Sequence, residues 1–130
     1  MLGHGLKGIE QFHPLFYEDP ILPDNFDAMG LVAQNISIPI ATGERLFTRY
    51  AFKELLVGEA VDVIQADVGN AGGIYEVFKI AAMAEAHFID CAPHNPQSYV
   101  ATMATLHVDA CTTNCVIQEI PEGPEWQRDL

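Results

Sequence analysis

The sequence predicts an α/β fold in which parallel strands alternate with helices, and three observations carry that prediction. Five apolar runs end on residues 18, 44, 67, 94 and 119, so successive ends stand 23 to 27 residues apart. A strand, a helix and two short loops need about that length, the spacing of βα units. Helix signals fill the intervals between the runs. Segments such as Ile38-Pro39-Ile40-Ala41 and Val63-Ile64-Gln65-Ala66 show little in/out alternation, as expected of strands covered on both faces.

The elements follow in order. The chain opens in what reads as the end of a helix, and Leu15-Phe16-Tyr17-Glu18 is the first strand. After Pro23, Asp24-Asn25 can cap a helix running to about residue 35, with Phe26, Met29, Leu31 and Val32 available for its buried side. Ile38 to Glu44 is the second strand. A helix from Arg49 to about Leu56 should stop near Gly58, which suits a helix C-terminus. Val61 to Asp67 is the third strand. From Ile74 the apolar residues Val77, Phe78, Ala81 and Ala82 recur at helical spacing, and Glu85 marks the polar edge. Phe88 to His94 is the fourth strand, residues 98–110 form an Ala- and Met-rich helix, and Cys115 to Glu119 is the fifth strand.

Composition bounds the function. Forty-nine per cent hydrophobic residues suit a globular core, and a net charge of −12 argues against nucleic acid or an anionic membrane as partner. No run approaches the roughly 18 apolar residues of a membrane span, and residues 1–16 lack the basic start and apolar stretch of a signal peptide. Three cysteines form no disulfide framework, which favours a reducing, cytoplasmic setting.

Each strand end carries a residue capable of chemistry, and in α/β barrels active sites are built at that rim. Glu18 and Glu44 on adjacent strands would repel unless a cation or proton lies between them, and hard oxygen donors suit Mg²⁺. Asp67 and His94 can form a carboxylate–imidazole pair in which the acid fixes the tautomer and raises basicity. Glu119, if burial keeps it protonated, can donate a hydrogen bond to a developing oxyanion. Each of these is weak by itself, since loop carboxylates and single histidines are common. Their shared position at five strand ends is the signal.

Other features carry less. Gly69-Asn70-Ala71-Gly72-Gly73 lacks the dinucleotide-binding spacing and reads as a tight strand-to-helix turn rather than a phosphate cradle. Cys91, Cys111 and Cys115 with His94 have poor spacing for zinc. His4, His13, His87 and His107 have no positional argument.

On the segments Phe16-Tyr17-Glu18-Asp19-Pro20, Ile38 to Arg45, Ile64-Gln65-Ala66-Asp67, Ala71-Gly72-Gly73-Ile74, Ala92-Pro93-His94-Asn95-Pro96 and Ile117-Gln118-Glu119, the chain resembles the mandelate racemase/galactonate dehydratase group of the enolase superfamily. The galactonate dehydratase subgroup is the nearest in pattern, on Ala41 to Phe47, Lys79 to Glu85 and Ala92-Pro93-His94. The resemblance implies the second half of a (β/α)7β barrel, with residues 1–130 as a partial C-terminal barrel domain. The capping domain and the first barrel strands would lie outside it. It implies Glu18 and Glu44 as two of the ligands of an essential Mg²⁺, and His94 with Asp67 as the base dyad that removes the proton α to a sugar-acid carboxylate. Glu119 would stabilise the enediolate.

Loss of the 3-hydroxyl would then give a 2-keto-3-deoxy acid, and the full-length protein would be a homo-oligomer. The pattern's first metal ligand and its acid group for the departing hydroxyl are absent, so the chain alone is expected to be nearly inactive. Asp19 and Ala66 stand where galactonate dehydratases often carry Glu and Pro. A racemase or another aldonate or aldarate dehydratase is the same-class alternative, and a noncatalytic remnant the other.

Overall fold

A computed structural model describes residues 7–23 and 25–120. After a 3₁₀ turn at Glu10–Phe12, the order is β1 (Tyr17–Glu18), α1 (Phe26–Ala33), β2 (Ile40–Thr42), α2 (Thr48–Val57), β3 (Val63–Ile64), α3 (Val68–Ala71), α4 (Ile74–Ala86), β4 (Asp90–Cys91) and α5 (Tyr99–Asp109). The four strands form one sheet in the order β1-β2-β3-β4, and every pairing is parallel. The expected fifth strand is reduced to a single parallel bridge between Cys91 and Cys115. With no later strand beside it among the described residues, this edge lacks the second ladder that would extend the pairing.

The helices settle close to their expected bounds, for identifiable reasons. Asn25 caps α1 by accepting the N–H of Ala28, whereas Asp24 lies outside the described residues. Met29, Gly30 and Val32 face inward, but Leu31 is 63% exposed, so the expected burial of Leu31 is corrected. The α2 helix ends at Gly58 as expected, yet Gly58 keeps right-handed backbone, and Glu59 takes the left-handed turn at φ 49°. In α4 the buried stripe is Val77, Ile80, Ala81 and Ala84, one position round from the expected face, and Phe78 and Ala82 point outward. Ser98 caps α5 through the N–H of Ala101.

Two apolar layers lie on the two sides of the sheet. The larger fills the space between sheet and helices, around Phe52, Leu55, Leu56, Ile64 and Ile80. The smaller, Ala41, Val63 and Ala92 with Phe16, lines the opposite face. Alternation along each strand then sends Asp67, four residues after Val63, and His94, two after Ala92, toward that second face at the carboxyl rim. Among the described residues no helix is long and apolar enough to cross a membrane.

Candidate active site

Three of the five expected residues meet at the carboxyl ends of neighbouring strands. His94 lies between two carboxylates: Nδ1 is 2.9 Å from Oδ2 of Asp67, and Nε2 is 3.0 Å from Oε2 of Glu44. Asp67 is 2% exposed. Its other oxygen accepts the backbone N–H groups of Gly69 (2.6 Å) and Asn70 (2.9 Å). Such bonds lock the side chain in place. They also occupy the amides that an anion would need, so the glycine-rich segment binds its own aspartate at the start of α3.

The surrounding polar residues were not singled out in the sequence. Gln97 Nε2 donates to Oδ2 of Asp67 at 3.2 Å, and Asn70 Nδ2 donates to the backbone carbonyl of Glu44 at 2.9 Å. Asn70 thus fastens the β2 end to the β3 end. Gly43 is required at the approach to Glu44: its φ is 141°, and a Cβ there would stand 2.9 Å from the Phe52 ring and 3.0 Å from the backbone N of Gln65. The nearest sequence signal for these residues was adjacency, since Asn70 lies in the glycine-rich run and Gln97 three residues past His94.

Glu18 ends β1 and is exposed, and no hydrogen bond or ion pair joins it to Glu44 among the described residues. Its neighbour Asp19 makes the link between the two strand ends. Asp19 accepts the Thr42 hydroxyl at 2.5 Å and pairs with Arg45 at 3.4 Å, while Arg45 Nε also reaches Glu44 at 3.2 Å. Glu119 is exposed, which corrects its expected burial. One of its oxygens accepts the backbone N–H of Asn95 at 2.8 Å.

The donor chemistry of Glu18 and Glu44 fits a hard divalent ion in kind, being two carboxylates at adjacent strand ends. In number it supplies only part of a coordination shell. Among the described residues no group of three or more His, Cys, Asp and Glu side chains is arranged to hold a metal.

A second titratable cluster lies on the helix side of the sheet. Burial pushes the Cys91 thiol up to about 12 and the Cys115 thiol up to about 11, and it also raises the half-buried Asp109 carboxyl. Both oxygens of Asp109 are without hydrogen-bond partners among the described residues. All three cysteines are free thiols.

The chain is similar to several known proteins. A D-galactonate dehydratase from Xanthomonas euvesicatoria pv. vesicatoria is 45% identical over 114 residues, which are 88% of this chain and 30% of that enzyme. The crystal structure of a mandelate racemase/muconate lactonizing enzyme from Sulfitobacter superposes with a TM-score of 0.91 at 40% identity, covering 95% of this chain and 31% of that one. An enolase from Agrobacterium radiobacter, solved with bound sodium and L-malate, superposes with a TM-score of 0.84 at 41% identity, covering 88% and 29%. The chain therefore spans less than a third of the length of these relatives. The parallel α/β unit corresponds to part of their barrel, the second half expected from the sequence. A model of the enolase C-terminal domain-like family matches residues 4–130, and the chain belongs to that family.

Proposed function

We propose that this chain carries the C-terminal half of the active site of a Mg²⁺-dependent sugar-acid dehydratase acting on D-galactonate or a close analogue. The observation that carries the reading is His94 held between Asp67 and Glu44. Asp67 engages Nδ1, so Nε2 is the atom that would take a proton once released from Glu44, while the backbone amides on the far oxygen of Asp67 keep the pair aligned. In this role His94 removes the proton α to the substrate carboxylate, and Glu119 would stabilise the enediolate. Elimination of the 3-hydroxyl then yields a 2-keto-3-deoxy acid. Glu18 and Glu44 would hold the Mg²⁺, whose charge stabilises the enediolate and makes the weakly acidic α proton removable.

The likeness to D-galactonate dehydratases supports the substrate class. The L-malate bound to the Agrobacterium enolase favours a second reading on the same machinery, a dehydratase or racemase for another 2-hydroxy acid.

The 130-residue chain should turn over D-galactonate barely, because two carboxylates without an acid group or capping domain cannot organise the substrate. Robust dehydration by the chain alone would overturn that expectation. The reading itself is tested by assaying the full-length product of the gene on acid sugars with Mg²⁺ and with a chelator. Mg²⁺-dependent loss of water is the expected result. Failure across the acid sugars, together with no Asp-x-His or Lys-x-Lys motif encoded upstream, would instead indicate a noncatalytic remnant.

A further inference from the structure

Asn95 follows His94 in the chain and is only 1% exposed, yet nothing in the proposed chemistry uses it. Its hydrogen bonds have an unusual distribution. The backbone N–H donates to Oε2 of Glu119 at 2.8 Å, and Nδ2 donates to the backbone carbonyl of Glu119 at 3.1 Å. Nδ2 also donates to the Thr102 hydroxyl at 2.7 Å. That hydroxyl spends its own proton on the carbonyl of Ser98 at 3.0 Å, so it offers Asn95 a lone pair alone. The amide orientation is thereby fixed, nitrogen toward Thr102 and Glu119. The amide oxygen is left buried without a partner among the described residues. An unmet buried acceptor is destabilising, so filling space is a poor account of an asparagine here.

We infer that Asn95 is the positioning residue that fixes Glu119 at the rim beside His94. The need arises from the sheet. The last segment joins β4 only through the Cys91–Cys115 bridge, with backbone bonds from Cys91 to Asn114 and from Val116 to Cys91. Past Val116 no backbone–backbone bond ties the described residues to β4. Asn95 replaces the missing ladder with a grip on both the carboxylate and the main chain of one residue. Glu119 cannot turn its carboxylate away, or slide along β4, without breaking a bond to Asn95. The role assigned to Glu119 rests on the function proposed above, but the grip does not.

The test is NMR spectroscopy of the intact 130-residue chain in three variants. Glu119→Ala leaves the core untouched and removes the side-chain acceptor. The Asn95 amide proton should move upfield and exchange with water about tenfold faster, the equivalent of one lost hydrogen bond. Asn95→Asp keeps the volume and the backbone N–H but removes the Nδ2 donor, and Asn95→Ala also opens space in the core. Both should shift residues 117–120 while the Nδ1-bound proton of His94, which reports on Asp67, stays in place. An Asn95 amide indifferent to Glu119→Ala, or a wild-type-like Asn95→Asp, would overturn the assignment. The assay of the full-length protein on acid sugars with Mg²⁺ separates the two claims: no loss of water there would count against the proposed function and leave the grip standing.

Discussion

The carboxylate of Glu44 lies 3.0 Å from Nε2 of His94, the atom assigned to proton removal. A carboxylate spent on the histidine is not fully available to a cation, so binding of Mg²⁺ should loosen this pair. Addition of Mg²⁺ is expected to shift the His94 ring resonances of the wild-type chain, and Glu44→Gln should abolish that response. Identical spectra for the two proteins would show that Glu44 does not link metal to base.

Gly43 should tolerate no side chain. Gly43→Ala meets the Phe52 ring and the Gln65 backbone and forces an unfavourable φ. A loss of about 2–3 kcal/mol is expected from overpacking plus strain. Chemical denaturation would measure it, and an unchanged midpoint would refute it. Phe52→Ala, at the fully buried centre of the helix-side layer, should cost about 3–5 kcal/mol.

Asp109 and the cysteines give stability a defined pH dependence. Burial raises the Asp109 carboxyl above the ordinary carboxylate range, so the folded chain binds that proton more tightly than the unfolded one. Stability must then fall as pH rises through that window. Asp109→Asn should therefore raise the melting temperature at pH 7 and lose its advantage in acid. The same sign applies at the alkaline end, where stability declines from about pH 9 toward the Cys91 value of about 12. Alkylation at pH 8 should label the exposed Cys111 first and the buried Cys91 last.

Phe88 is 99% exposed and holds a left-handed backbone at φ 60°. Phe88→Gly removes that strain and an apolar surface together. A stabilisation of about 1 kcal/mol is expected, the left-handed cost partly offset by the entropy of glycine in the unfolded chain. A lower melting temperature would show that the ring makes contacts worth keeping.

The strand ends were legible because acids and a histidine recurred at nearly even spacing. Asp67 and His94 do share a register, three residues past the Ile64–Cys91 pair, whereas Glu18 pairs with Ala41 and falls three residues short of Glu44. Helix bounds were legible where caps are chemical, as at Asn25 and Ser98. The rotation of the α4 stripe was not, because an alanine-rich helix offers several nearly equal apolar faces and packing against α2 and α5 decides among them. The left-handed role of Glu59 was hidden for a related reason. A return loop is set by where the next strand must begin, and here that demand fell one residue past the glycine. Asn70, Asn95 and Gln97 left no pattern, since a positioning residue is defined by what it reaches across strands.

Glu59 and Phe88 occupy equivalent places, each closing the turn that leads from a helix into the next strand at the end opposite His94. The chain thus places these two left-handed residues at the end of the sheet opposite its reactive groups. Engineering can exploit that separation: substitutions that relax the amino-terminal turns should harden the scaffold while leaving the chemistry of the far rim untouched.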